Sequence, residues 1–501
     1  MPQNSENQRQ KRLSNNFDKK CKQTLKTNHI IKNKMRKIVL GCLALFFLGG
    51  AYAQDPQTAW SREYPQIERS IQAPTFKNKD YVITDFGAVA NDESKLNHTA
   101  INKAIETCSA EGGGRVIVPA GVWHTGPLTL LSNVNLHLQE GATLLFTTDM
   151  SVFPFVLTRW EGLDCYNFQP LIYAYDQKNI ALTGNGTVDG NGSPDNWWYM
   201  KRNSTDRITQ FTGRPKLLQW AEDKVPIEQR RMTPEDGLRP QLINFYLCEN
   251  VLIEDVNLVR SPFWVIHPLM CTNLTVRGVH IESHGPNGDG CDPESCKNVL
   301  IENCYFDTGD DCIAIKSGRN NDGRFWELPS ENIIVRNCKM VDGHGGVVIG
   351  SEISGGYRNL FVHDCEMDSP NLDRVIRIKT NTCRGGIIEN VYVRDVKVGQ
   401  CREAVLRINL VYEPNEACDR SFPPIVRNIN LENVTCEKSR FGVVIAGLEE
   451  GTNVYDVNIK NSTFNGVTGA NGNLNNISGK IAHVTFDNLR INGQPAESPA
   501  P

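Results

Sequence analysis

An eight-residue block returns through the middle and C-terminal parts of the chain, and it restricts the fold more than any other property of the sequence. Each copy begins with Asn, places apolar residues second and fourth, and usually carries Asn or Asp sixth. Asn250-Val251-Leu252-Ile253-Glu254-Asp255, Asn298-Val299-Leu300-Ile301-Glu302-Asn303 and Asn332-Ile333-Ile334-Val335-Arg336-Asn337 are the clearest copies. Others start at Asn359, Asn390 and Asn428, and a weaker one at Asn273. Alternating apolar and polar residues bounded by Asn, Asp and Gly read as a β-strand between turns. Recurrence at a period of roughly 20 to 50 residues marks a solenoid, in which each unit buries its apolar face only by stacking on the next. Short strands at that period, without helical patterns between them, favour an all-β parallel β-helix over leucine-rich or helical repeats. Strands stacked about 4.8 Å apart bring residues distant in sequence onto one face.

A solenoid grows by adding coils, so the 501 residues fit one large domain. The hydrophobic fraction of 40% supplies a core, and the formal charge of −4 gives no global basic field. Nucleic acid is not an expected partner, and any polyanion must be held by a local patch. Residues 1–53 read as a basic extension followed by an export signal over 35–53. Met35-Arg36-Lys37 precedes an apolar run from Ile38 to Gly50 and then Ala51-Tyr52-Ala53, with cleavage after Ala53. The run is short for a membrane span. It continues past Cys42, which speaks against a lipid-anchored cysteine there. The start site, Met1 or Met35, stays open. The expected location is periplasmic or extracellular. An N-terminal segment follows over 54–80, the catalytic solenoid over 81–495, and a tail over 496–501.

Sixteen cysteines in an exported chain invite a disulfide reading. Yet Cys304, Cys338 and Cys365 each hold the seventh place of the block, which predicts one buried file of free thiols. Cys291 and Cys296 lack a second pair at zinc spacing. Residues 94–110 read as a helix, with Ile101, Ala104, Ile105 and Cys108 on one face and Gly112-Gly113-Gly114 ending it, placed to cover the open end of the solenoid. The stretch 160–239 interrupts the ladder and reads as loops folded over one side. Its Trp197, Trp198, Tyr199 and Trp220 fit sugar-stacking platforms and satellite packing equally well.

Four clusters fall at coil intervals within the ladder: Asn287-Gly288-Asp289-Gly290, Gly309-Asp310-Asp311, Gly343-His344-Gly345 and Arg377-Ile378-Lys379. Each alone reads as a turn or a solvated strand face. Together they place three carboxylates, an imidazole and two cations on one side. Glycosidic cleavage needs a carboxylic acid to protonate the leaving oxygen and a carboxylate to activate water or attack. Three close aspartates raise one another's proton affinity. Arg377 and Lys379 alternate with Ile378 and so share a strand face, where they suit a sugar carboxylate.

The chain resembles glycoside hydrolase family 28, the polygalacturonases and related pectin hydrolases. The resemblance runs from Asp85-Phe86-Gly87-Ala88 through Gly112-Gly113-Gly114, Val118-Pro119-Ala120-Gly121 and Gly184-Asn185-Gly186-Thr187-Val188-Asp189-Gly190 to the last coils. It implies a right-handed parallel β-helix that hydrolyses α-1,4-galacturonosyl linkages with inversion, without a cofactor or metal. By motif, Asp310 looks like the general acid, Asp289 and Asp311 like the pair that positions and deprotonates water, and His344 like the support of the acid. Arg377 and Lys379 would bind the galacturonate carboxylate, Asn287 would shape the first loop, and Tyr412 matches a substrate-side tyrosine. The family's first motif usually has Thr where this chain has Gly288, which implies a more mobile loop or a different neighbouring sugar.

Inversion leads to the expectation that acid and base oxygens stand roughly 6.5 to 9.5 Å apart. The long aromatic and charged interruption at 160–239, placed to wall off one end of a cleft, implies exo-attack on polygalacturonate or pectic oligosaccharides. Two rivals are a pectate-lyase-like enzyme, which would leave the His344 cluster idle, and a non-catalytic glycan-binding solenoid. Which pectic polymer is cut, the disulfide pairing and the oligomeric state stay open.

Overall fold

The Asn that opens each block is a corner residue. In the computed structural model, which describes residues 55–202, 204 and 206–499, Asn250, Asn273, Asn298, Asn332, Asn359, Asn390 and Asn428 all have φ between 54° and 65°. Asn tolerates this left-handed conformation better than any residue but Gly. The sixth position behaves alike, with Asp255, Gly278, Asn303, Asn337, Asp364, Asp395 and Asn433 at φ between 52° and 63°. The block is therefore a strand held between two left-handed corners. Each leading Asn also donates its side-chain amide to the Asn before it, at 2.8 to 3.5 Å, forming a continuous ladder from Asn250 to Asn428. Two more rungs, Asn179 and Asn133, extend it towards the N-terminus.

The second block position forms the core. Ile180, Val251, Leu274, Val299, Ile333, Leu360, Val391, Ile429, Val457 and Val484 are in register on successive parallel strands, all buried. The strands stack into a 22-stranded sheet, with two shorter sheets of four and six strands completing the coils. The architecture is a parallel β-helix with few helices. Successive ladder Asn residues are 23, 25, 34, 27, 31 and 38 residues apart, so the coils differ in length and the longer ones carry extra segments. The excess of the 34-residue coil carries a helix at Asn320–Trp326. That of the 38-residue coil carries the loop with Tyr412.

The helix expected over 94–110 spans His98–Ala110 and buries Ile101, Ala104, Ile105 and Cys108. It starts later because the Asn97 side chain is engaged with the backbone of Val89 at 2.7 and 3.0 Å. Cys304, Cys338 and Cys365 are buried and free, and Cys248, Cys271 and Cys296 are buried free thiols as well. Cys383 and Cys418 form a disulfide, with Cα atoms 5.8 Å apart.

The expectation of loops over 160–239 needs correction. Lys178–Thr183 and Thr187–Asp189 are ordinary rungs of the ladder, paired to strands on both sides. The rung is less visible in the sequence because Asn179-Ile180-Ala181-Leu182 ends in Thr183-Gly184, without the Asn or Asp that usually closes the block. What lies outside the ladder is an antiparallel hairpin, Phe155–Trp160 with Leu163–Phe168, and a helix at Gln210–Glu222. Trp197 is buried, and Trp198 donates to the Ser261 carbonyl at 2.8 Å, so both pack on the solenoid. The segment Pro56–Ser70 lies over the outer sheet face, where Ala59 and Ile67 pack with Leu300, Ile334, Phe361 and Tyr392. The export-signal reading falls outside the described residues. Among those described, no helix is long and apolar enough to cross a membrane.

Candidate functional site

Backbone hydrogen bonds set the four clusters side by side. The Gly290 N–H donates to the Asp311 carbonyl at 2.9 Å, Cys312 to Gly345 at 2.8 Å, and Gly346 to Arg374 at 2.9 Å. Arg377 and Lys379 lie on the strand Arg374–Lys379, where Ile376 and Ile378 turn into the core and the two cations face away from it. Above them opens a cavity of about 490 Å³, within the range of small-ligand sites. Asn287, Asp289, Asp310, His344, Arg377, Lys379 and Tyr412 all line it. Asp311 does not. Its side chain has no exposed surface, and its two oxygens accept from Arg377 at 3.2 Å and Lys379 at 2.6 Å. Both Asp311 oxygens are thus already engaged by cations, while one of them stays close to the oxygens of Asp289 and Asp310. The cations expected to meet a sugar carboxylate are anchored from behind by Asp311, and the Tyr412 ring stands 5.7 Å from the Arg377 guanidinium and 5.5 Å from the Lys379 ammonium.

One oxygen of each of Asp289, Asp310 and Asp311 lies within 4.8 Å of the others. This overturns the expected gap of roughly 6.5 to 9.5 Å. Asp310 and Asp311 are consecutive, and Asp289 sits on the coil stacked beside theirs, where the Gly290 N–H donates to the Asp311 carbonyl.

His344 is tied to Asp310 twice, by its backbone N–H to the Asp310 carbonyl at 3.0 Å and by Nδ1 to Oδ1 at 2.9 Å. The bond to Asp310 raises the imidazole above its ordinary value against the opposing effect of burial. Burial alone would raise Asp310, but the His344 bond and the charges of Lys379, His344 and Lys316 bring it down to about 2. Asp289 is held well above the carboxylate range, by burial first and then by Asp310, with Lys316 opposing. Burial thus favours the neutral form of Asp289, while the His344 bond favours the ionised form of Asp310. Taken alone, that split would make Asp289 the acid, the reverse of the assignment the motifs imply.

Gly288 proves tight rather than loose. A Cβ there would come 2.6 Å from the Ser283 carbonyl oxygen and 2.7 Å from that of Gly285. The loop closes on the Gly288 N–H, which donates to Gly285 at 3.0 Å. The closest approach comes from backbone five residues upstream, so the Thr that the family usually carries would not fit this loop as it stands. The side chain of Asn287 accepts from Arg239 at 2.8 Å, and Arg239 also donates to Pro262, Pro286 and Gln210. Arg239 is fully buried, and burial pulls it down to about 9.

Sequence reasoning missed the second layer. Lys316, buried, stands 3.7 Å from Asp289, 3.9 Å from Asp292 and 3.3 Å from Glu352, and 4.4 Å from the ring of Trp264. Trp264 lies one coil before Asp289, so coil spacing could have found it. Glu161, Lys201 and Arg214 reach the cavity from the segment outside the ladder, and Arg319 and Glu413 from long coils. No local pattern marks these five.

The match to known proteins agrees with this geometry. The structure is similar to that of a hyperthermoactive exopolygalacturonase from Thermotoga maritima, with 38% identity, a TM-score of 0.82, and 87% of this chain and 97% of that one covered. An exo-poly-alpha-D-galacturonosidase of Dickeya chrysanthemi is 26% identical over 440 residues, 82% of this chain and 67% of that protein. An endo-polygalacturonase of Pectobacterium parmentieri is likewise 26% identical over 440 residues, 85% of this chain and 94% of that protein. Residues 108–485 match the family model described as glycosyl hydrolases family 28, and the chain belongs to that family, the polygalacturonases.

Proposed function

We propose that this polygalacturonase is exported and acts from the chain end, releasing galacturonate units from the non-reducing terminus of polygalacturonate or pectic oligosaccharides with inversion. The observation that carries the exo reading is the set of side chains that Glu161, Lys201 and Arg214 bring to the cavity from outside the ladder. A wall there leaves room for a terminus and none for a continuing chain. The high coverage of the Thermotoga exopolygalacturonase supports the same reading.

In this account the terminal sugar sets its carboxylate against Arg377 and Lys379, whose geometry Asp311 fixes from behind. Tyr412 flanks the same cations, and Asn287 shapes the loop that carries Asp289. Asp310 protonates the leaving oxygen. His344, half exposed, sits 2.9 Å away and renews that proton from solvent after each turnover. Asp289 enters the step as a carboxylate, steadied by Lys316 at 3.7 Å, takes the proton of the attacking water as the new C1–O bond forms, and releases it to solvent after the products leave. The reading is tested by following polygalacturonate digestion. Exo-attack accumulates reducing ends while viscosity falls slowly. A rapid early fall in viscosity, with mixed oligomers as first products, contradicts it.

A further inference from the structure

The side chains that reach the cavity from outside the ladder and from the long coils have a charge pattern of their own. Arg214 Nε lies 2.7 Å from Oε2 of Glu161, and its Nη2 lies 3.9 Å from Oε1 of Glu413. Arg319 closes the ring from the other side, with Nη1 3.5 Å from Glu161 and Nη2 3.1 Å from Glu413. Four side chains from four separate parts of the chain, all lining the pocket, thus alternate acid and base. Arg319 is buried, whereas about a third of the Arg214 and Glu413 side chains stays exposed, 30% and 34%. Among the described residues no donor stands within hydrogen-bonding distance of Oε1 of either glutamate. Glu161 and Glu413 also both have left-handed backbones, at φ 43° and 47°. That conformation is uncommon for Glu and persists where surroundings impose it.

The ring is joined to the reacting carboxylates by short steps. Arg319 lies 3.6 Å from Glu352, Glu352 lies 3.3 Å from Lys316, and Lys316 lies 3.7 Å from Asp289. Its chemistry differs from that of the strand cations. Arg377 and Lys379 offer positive charge to an anion, whereas the ring, joined by Arg384 at 3.3 Å from Glu413 and by Glu416 at 2.8 Å from Arg319, alternates acid and base and offers the Oε1 oxygens of Glu161 and Glu413 as acceptors beside guanidinium donors. That pairing suits a sugar hydroxyl, which donates its proton to a carboxylate and accepts from an N–H. It does not suit another galacturonate carboxylate, which would meet two glutamates.

We infer that the Glu161–Arg214–Glu413–Arg319 ring reads the free 4-hydroxyl of the non-reducing terminal sugar, and so selects chain ends by their proton as well as by their size. This rests on the exo reading above. In a bound terminal residue C4 lies across the ring from C1, so a sugar with C1 at Asp310 turns its 4-oxygen away from the reacting bond. In an internal residue the same oxygen is a glycosidic ether without a proton. A site built to hydrogen-bond a hydroxyl penalises an analogue lacking it, because its own polar groups are then left unpaired.

The test uses two trigalacturonates labelled at the reducing end, one natural and one 4-deoxy at the non-reducing residue. Wild-type enzyme is expected to prefer the natural trimer by at least about tenfold in kcat/KM. Glu413→Ala is expected to cut the preference to below about threefold, with Glu413→Gln restoring part of it and Arg214→Gln behaving like the Ala variant. Glu161→Gln serves if Glu413→Ala does not fold. A wild-type enzyme indifferent to the 4-hydroxyl, or variants with undiminished preference, overturns the inference. Failure of the exo reading is separate: wild-type enzyme would then cut a labelled hexagalacturonate at internal bonds, whatever the ring variants do.

Discussion

His344 Nδ1 lies 2.9 Å from Oδ1 of Asp310, and the two side chains hold one proton between them. Such a pair titrates as a unit. Its upper titration is that of an imidazole raised above its ordinary value. Protonation of the leaving group therefore holds below that pH and is lost as pH rises through it. His344→Ala removes the imidazolium and with it the bond that lowers Asp310, so the carboxyl alone must keep the proton. The basic limb of the kcat/KM profile is expected to move to lower pH. An unmoved limb would show that another group sets it.

Asp289 and Asp310 exchange roles if the burial of Asp289, and not the motif, identifies the acid. A good leaving group needs little protonation, so it separates the two. Asp310→Asn should lose most turnover on polygalacturonate, by a factor of about 100 or more, and regain much of it on an activated aryl galacturonide. Asp289→Asn should lose both alike. The opposite pattern would make Asp289 the acid.

Arg377 and Lys379 contact Asp311 before any sugar arrives. Lys379→Ala should lower kcat/KM on free-acid oligogalacturonides by about tenfold or more, since a charge-assisted hydrogen bond contributes about 1.5 to 3 kcal/mol. The loss on the methyl ester should be smaller, because the ester carries no charge to pair. Equal losses on both would confine Lys379 to holding Asp311.

Arg159 tests the scaffold. It is fully buried, 2.9 Å from Asp164 and 2.8 Å from Glu294, and Glu294 in turn meets His267 at 2.8 Å. Arg159→Met leaves two buried carboxylates short of a partner and should destabilise by about 3 to 5 kcal/mol. A thermal midpoint within a degree of wild type would contradict this.

The parts legible in the sequence were those written locally. The leading Asn marks a left-handed corner because few other residues accept that backbone, and the second-position file from Ile180 to Val484 follows from strand alternation. The clusters around Asp289, Asp310, His344 and Arg377 could be brought together because stacking turns coil spacing into proximity. The carboxylate separation was misjudged because two of the three are consecutive residues and the third is on the coil stacked beside them, which the stereochemistry of the reaction does not reveal. The ring of Glu161, Arg214, Arg319 and Glu413 had no sequence signal, since its members come from a hairpin tip, a helix and two long coils with no shared spacing. Lys316 was hidden in the same way, as an ordinary Lys ending an apolar strand.

The central claim is hydrolysis of one terminal galacturonate at a time at a site closed on one side, with inversion. Hexagalacturonate labelled at its reducing end tests it most directly, with products resolved by length at early times and the first-formed anomer read by proton NMR. The account predicts labelled pentamer as the first labelled product, unlabelled monomer beside it, and that monomer appearing as the β-anomer. Labelled dimers and trimers at the earliest times, or a first product in the α-form, would contradict it.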